Sequence, residues 1–384
     1  MPLLQHKKRN SLCVKQNFSF NLFENKQLAY IPIIKKSDKI YFDSDKGNKG
    51  ARFQLQNRRY LGNKYKLLGF IEKIVNEKCS DFNIFCDIFA GSGVVGERFN
   101  KKNIKIIAND FLASNYIPLK AFLETSKIDF EKIKKKIMLL NNLKANKENY
   151  FSKHFKRTYF TLENTIKIGA IREKIDEIAI DDNEKAVFIS SLIYAVDKVA
   201  NTVGHYDAYR KKMDTTNPLR LLMPDFNPGN NANNKIYKED ANRLIRKISC
   251  DVLYIDPPYN SRQYSDIYHL LENLTAWKKP PVYGKAKKMD RSHIKSEYCL
   301  KTASKAFNDL ILNARCKHIL VSYNNTGESK NKRSNARISD EQIINILKSR
   351  GKVEIFERAY KAFTTGKSKA GGHTERIFYC NVSG

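Results

Sequence analysis

Long apolar runs are missing from this chain of 384 residues. No stretch approaches the roughly 18 residues a membrane-spanning helix needs, so no span is expected. The opening residues, MPLLQHKKRNSLCVKQ, lack the apolar core of a signal peptide. Cysteine is sparse and scattered, seven residues without a C-x-x-C pair, which argues against a disulfide framework. The seven histidines are equally dispersed, so the pattern offers no zinc site and no metal is expected. These absences describe a soluble protein of a reducing cytoplasm.

Negative charge is also scarce: 40 Asp+Glu stand against 70 Lys+Arg, a formal net charge of +30. Such an excess repels itself and costs stability, so it points to a polyanionic partner, with nucleic acid the first candidate. Drift toward Lys in an AT-rich genome is the plainer explanation, and the many Asn and Ile residues accord with it. The length suggests one large domain carrying an insertion, or two domains.

Residues 1–56 show no sustained periodicity and form an unassigned extension; YIPIIKK and KIYFDSDKGNKG read as a short hairpin or a basic arm. From Tyr60 the pattern sharpens. Leu67, Leu68, Ile71, Ile74 and Val75 recur at helical spacing. NIFCDIFAGSGVVGERF then reads as strand, glycine turn and helix start, and NIKIIANDF as a second strand, which together begin a doubly wound α/β sheet. Residues 114–235 break that rhythm with long helical patterns, forming a mainly helical insertion of about 120 residues, too long for a loop. Strand signals return in KIYKEDA, DVLYIDPPY, KHILVSYNN, KVEIFERAY and ERIFYCNV. The expected organisation is therefore an α/β domain made of residues 57–113 and 236–384, interrupted by the insertion.

FAGSG, from Phe89 to Gly93, stands where glycines let a backbone approach a ligand closely. Asp110 lies 17 residues beyond Gly93 at the tip of the next strand, where such folds hold a ribose by its hydroxyls. A helix N-cap is its plain structural alternative. Gly91, Gly93 and Gly96 also read G-S-G-V-V-G, so the loop alone leaves a nicotinamide or flavin cofactor open. Asp240 is a candidate acceptor for an adenine amino group, and equally a cap for the helix ANRLIRKI.

The most telling stretch is DVLYIDPPY, an apolar strand that stops on Asp256-Pro257-Pro258-Tyr259. A carboxylate accepts hydrogen bonds, while proline fixes the turn and leaves its carbonyl as a second acceptor. Two acceptors aimed at one exocyclic amino group grip both its protons and free the nitrogen lone pair for attack. Tyr259 is placed to stack on the same base. Direct methyl transfer to a nucleobase amine needs this set of groups and neither a metal nor a covalent intermediate.

These residues resemble the Dam-like, alpha-group, adenine-specific DNA methyltransferases, a likeness that runs from about Arg58 onward. RRYLGNKYKLL is similar to the family's amino-terminal cofactor signature, FAGSG to its methionine-side loop and DPPY to its catalytic tetrapeptide. NTVGHYDAYRK, NSRQYSDIYHLLENLTAW and ILVSYNN resemble a bacterial subgroup often found beside restriction endonucleases. The resemblance implies a class I methyltransferase sheet of Rossmann-like form and S-adenosylmethionine as cofactor. Tyr60 and Lys64 would contact that cofactor, with Lys64 near its carboxylate. Phe89, Gly91 and Gly93 would line its methionine part, Asp110 would hold the ribose, and Asp240 would meet the adenine. Asp256 would lie between cofactor and target. The implied reaction is modification of adenine in duplex DNA within a restriction-modification system of a bacterial cytoplasm, with a separate endonuclease as cognate partner. Such an enzyme must flip its target base out of the stack. Arg210, Lys211 and Lys212, the Lys-rich segment WKKPPVYGKAKKMDRSHIK and the loop KAFTTGKSKAGGHTER are candidate phosphate contacts, although each reads equally well as a solvated face. Arg262 and Tyr264 are candidates for holding the base or its phosphate, and sequence reading is expected in the insertion. Two other readings compete: adenine methylation in RNA, and a non-catalytic Rossmann protein that binds a nucleotide cofactor and nucleic acid. Glutamine and protein-amine methyltransferases typically carry Asn in place of Asp256.

Overall fold

The computed structural model describes residues 52–259, 261–325, 338–359 and 374–382, and the expected hairpin or arm before them and most of the loop 361–376 lie outside the described residues. The described residues belong to one compact unit. Nine strands occur among them, in chain order β1 (Arg52–Phe53), β2 (Ile84–Asp87), β3 (Lys105–Asn109), β4 (Met223–Pro224), β5 (Lys235–Tyr237), β6 (Val252–Ile255), β7 (His318–Asn325), β8 (Gly351–Ala359) and β9 (Thr374–Val382). Seven of them form one sheet in the order β5-β3-β2-β6-β7-β9-β8. The first five strands of that order run parallel, and β9 lies antiparallel between β7 and β8. This is the strand order of class I methyltransferases, as expected.

The strands read as nearly unbroken apolar runs because both faces of the sheet are covered. Alternate residues feed two separate cores. Phe85, Ile106, Tyr254 and Leu320 face one, whereas Cys86, Ile107, Leu253 and Ile319 face the other. The second core is closed by α8 (Ala241–Leu244), α11 (Ala303–Asn313) and α12 (Asp340–Lys348).

The first core is larger because the helical insertion is part of it. α1 (Leu68–Lys78) and α2 (Val94–Phe99) lie on the sheet. Next to them pack α3 (Ala113–Leu119), α4 (Phe130–Asn141), α5 (Tyr150–Phe155), α6 (Leu162–Ile178) and α7 (Asp182–Val199). Side-chain oxygens start four of these helices by accepting backbone N–H groups: Asp129 for α4, Asn149 for α5, Thr161 for α6 and Asp181 for α7. α7 is buried on almost every side, including Phe188, Leu192 and Val196, so it is the central rod of this layer. The expected boundary between residues 113 and 114 falls inside α3, whose last turn widens into a π-helix over Lys120–Glu124. The end of the amino-terminal extension is also docked here. β1 pairs with β4, the Phe53 ring sits 4.1 Å from that of Tyr194, and the Tyr194 hydroxyl donates to the Leu55 carbonyl.

Candidate active site

β2 and β6 are neighbours, but the chain leaves β2 toward β3 on one side and β6 toward β7 on the other. Such a switch point opens a crevice at the carboxyl ends of the strands. There the structure has a cleft of about 960 Å³, open to solvent, walled by the residues that follow β2, β3, β5 and β6.

The glycine turn after β2 is held by two backbone bonds, Ala90 N–H to Asn109 O at 2.9 Å and Gly93 N–H to Ala90 O at 2.7 Å. Gly91 adopts φ +52°, and a Cβ there would come within 2.8 Å of Tyr60 Cε1, so the absent side chain is what admits the ring. Tyr60 in turn stacks on Tyr268 at 5.1 Å and leans on Tyr264 at 5.6 Å. Asp110 accepts from Gly91 N at 3.0 Å and from Leu112 N at 2.9 Å, so one carboxylate joins the glycine turn to the start of α3.

At the end of β6, Asp256 Oδ2 lies 2.7 Å from Lys64 Nζ, which also donates to the Gly62 carbonyl at 3.2 Å. Burial, the largest influence, would drive the Lys64 proton off, but Asp256 together with Tyr259, Tyr254 and Glu375 outweighs it and holds the ammonium well above its ordinary value. The Tyr259 ring lies 6.0 Å from that ammonium and edge-on to Tyr323 at 6.1 Å. The segment around Tyr60 and the strand-end tetrapeptide are thus bonded to each other through Lys64 and Asp256.

The cleft is acidic. Asp87, Asp110, Glu239, Asp240 and Asp256 line it, and Lys64 is the one Lys or Arg among the described residues that do so. Three buried polar groups in this wall lack a well-formed hydrogen bond: the Asp87 carboxyl, which has only a weak approach from the Gly96 backbone, the Tyr254 hydroxyl, with a weak one to Ser322, and the Ser265 hydroxyl. Orphaned groups of this kind carry a desolvation cost that a ligand can relieve. A carboxylate-rich, donor-poor cavity suits a cationic ligand bearing an ammonium, a sulfonium and hydroxyl groups, and S-adenosylmethionine fits that description.

Burial pushes Asp87 from the ordinary 3.8 up to about 8, and the Asp256 charge adds to this. Asp110 is raised by burial to about 6, against the opposing backbone N–H bonds. Folded Asp87 therefore holds a proton that the unfolded chain releases above about 4, so its contribution is fully present at low pH and lost as pH rises toward about 8. Asp87→Asn is expected to gain stability relative to the unchanged chain across that window. Thermal melts of both between pH 5 and pH 9, roughly the span set by linkage, check this; parallel curves would refute the buried proton.

Tyr60, Lys64, Phe89, Gly91, Asp110, Asp240, Asp256, Pro257, Pro258, Tyr259 and Tyr264 all line the cleft. Gly93 is absent from its wall. Its φ is +82°, and a Cβ would meet Leu119 at 2.4 Å and Leu55 at 2.9 Å, so its place is packing under the turn. Asp240 caps α8 by accepting from Arg243 N at 3.1 Å, and β5 already ends at Tyr237. Arg210, Lys211 and Lys212 are exposed and outside the cleft, and Arg210 faces Asp214 at 3.3 Å. Arg262 pairs with Asp207 at 2.9 Å. Sequence reading missed Asp87, although it ends an apolar strand as Asp256 follows one. It also missed Glu272, which reaches from α10 (His269–Ala276, the helix after α9, Tyr264–Ile267) to accept Ala113 N and Ser114 N at the start of α3. Tyr298, edge-on to Phe89 at 4.9 Å, had no local signal.

Fold and cleft together define a class I methyltransferase. Residues 60–346 match the D12 class N6 adenine-specific DNA methyltransferases, and the chain belongs to that family. It is 37% identical over 346 residues to the type II methyltransferase M.FokI of Planomicrobium okeanokoites, covering 84% of this chain and 52% of the relative. With the modification methylase StsI of Streptococcus sanguinis it shares 36% over 344 residues, 84% of this chain and 51% of the relative. With the type II methyltransferase M.NlaIII of Neisseria lactamica it shares 33% over 334 residues, 82% of this chain and 95% of the relative. The chain thus spans about half the length of the first two relatives. Among the described residues no metal-binding cluster occurs, and no helix is long and apolar enough to cross a membrane.

Proposed function

We propose that this chain transfers the methyl group of S-adenosylmethionine to the exocyclic amino group of adenine in duplex DNA, as the modification enzyme of a restriction-modification system. The observation that carries this reading is the Lys64–Asp256 contact of 2.7 Å, which sets the strand-end tetrapeptide into the same acidic cleft as the glycine turn and Asp110. When bound, S-adenosylmethionine supplies an electrophilic methyl group on a sulfonium centre.

The chain's own residues supply the rest. Tyr60, Phe89, Gly91, Asp87, Asp110 and Asp240 would hold the cofactor. The Asp256 carboxylate and Pro257 carbonyl would accept the two amino protons of a flipped adenine, with Tyr259 against its face. Lys64 engages Oδ2 and fixes the carboxylate. Burial raises the Asp256 carboxyl above its ordinary value, against the opposing Lys64 charge, which would make it a stronger acceptor for the proton the amine sheds. Unstacking the base costs a few kcal/mol, which phosphate contacts by Arg210, Lys211, Lys212 and Arg262 would offset. The helices of residues 114–235 would read the site. A separate endonuclease is the expected functional partner, and the cytoplasm the expected compartment.

Incubation with methyl-labelled S-adenosylmethionine and duplex DNA, then digestion to nucleosides, is expected to yield N6-methyladenine. Label appearing only on RNA, or only in protein, would reject the reading.

A further inference from the structure

The cleft has a roof that begins at the end of the Lys-rich segment WKKPPVYGKAKKMDRSHIK. Two short 3-10 turns, Ser292–Ile294 and Glu297–Cys299, carry Ile294, Ser296 and Tyr298 over it. The roof is fastened to the cofactor side by Tyr298. That ring meets Phe89 edge-on at 4.9 Å, and its hydroxyl donates to Asn242 Oδ1 at 2.9 Å. On the other side it is fastened to the segment that follows the catalytic tetrapeptide. Gln263 Nε2 donates to Ser296 O at 3.0 Å, and Ser296 N donates to Gln263 Oε1 at 2.8 Å. Arg291 Nε adds a bond to Asp266 at 2.6 Å.

The Gln263 amide behaves here as one rung of a ladder. A carboxamide presents a donor and an acceptor side by side, which match the two backbone groups of one residue. Gln263 is 8% exposed, so losing either bond would leave buried polar groups unpaired. Its own backbone carbonyl accepts Asp266 N and Ile267 N, which starts the helix carrying Tyr264. One residue therefore begins the base-side wall and clamps the roof over the cofactor side.

We propose that Gln263 is a positioning residue for cofactor binding. By locking Ser292–Cys299 over the cleft it retains the cofactor. This rests on the reading of the cleft as an S-adenosylmethionine site. Gln263→Glu keeps an acceptor for Ser296 N but turns a second carboxylate oxygen toward Ser296 O, and Gln263→Ala removes both bonds.

The test uses the whole chain. Calorimetry with S-adenosylmethionine gives Kd, and steady-state transfer to duplex DNA gives KM and kcat. Both variants are expected to raise Kd and KM for the cofactor about tenfold while kcat at saturation changes by less than about threefold. Unchanged Kd and KM, or a fall in kcat alone, would overturn the proposal. Hydrogen exchange of the unsubstituted chain covers the case in which a variant does not fold. Slow exchange at the Ser296 amide is expected, and fast exchange there overturns the clamp. If the unsubstituted chain binds no S-adenosylmethionine, the underlying reading fails and this one with it; if it binds and the variants bind equally, only this one fails.

Discussion

Asp256→Ala is expected to lower methyl transfer by about 10³-fold or more, the range a positioned proton acceptor supplies. The loss should come from chemistry, because the side chain holds Lys64 at Oδ2 and, in the proposed reading, would accept from the target amine. Stability must be followed in parallel. Removing one partner of a buried pair leaves an uncompensated charge, at about 3–5 kcal/mol where burial is complete. Here the Asp256 side chain is 17% exposed and Lys64 keeps its bond to Gly62 O, so the low end of that range applies. Pairing Asp256→Ala with Lys64→Met removes the stranded charge and is expected to restore melting temperature without restoring activity. Labelled transfer and thermal melts on the single and double variants separate the two effects. An active Asp256→Ala chain would sink the mechanism.

Gly91→Ala is the second large effect. The new Cβ would stand 2.8 Å from Tyr60 Cε1, on a backbone at φ +52° that side chains rarely adopt. Moving Tyr60 would disturb its stack on Tyr268 at 5.1 Å. Backbone strain and overpacking together are expected to cost about 2–4 kcal/mol. A shifted ring also displaces the cofactor wall, so the Kd for S-adenosylmethionine should rise on the order of 10²-fold. Gly69 on α1 provides the control, with nothing within 4 Å of its would-be Cβ. Gly69→Ala should be neutral or slightly stabilising, as Ala favours helix. Calorimetry and melts on both variants check this, and tight cofactor binding by Gly91→Ala would rule out the cradle.

Much of this architecture could be read before any coordinates. The apolar runs ending at Asp87, Asn109 and Ile255 are strands because covering both faces of a parallel sheet demands uninterrupted hydrophobic sequence. FAGSG and DPPY stood out because glycine and proline leave local signatures: each limits or frees the backbone within its own turn. Charge excess pointed to a polyanion for reasons that need no fold. Local chemistry was legible because its causes are a few residues apart.

What the tertiary structure alone decided is which of those residues meet. Lys64 and Asp256 are far apart in sequence, as are Gln263 and Ser296, and Glu272 and Ala113; no local pattern tells that the members of each pair meet. Gly93 looked like a ligand contact and is instead squeezed between Leu55 and Leu119. The helical insertion interrupts the strand pattern in sequence, and in the fold its helices share one hydrophobic core with the sheet. Sequence periodicity determined the elements and the strand-end chemistry, because both arise from the backbone and its nearest neighbours. Partnership, burial and the acidity of the cleft arise from packing between distant segments, and only the folded chain brings those segments together.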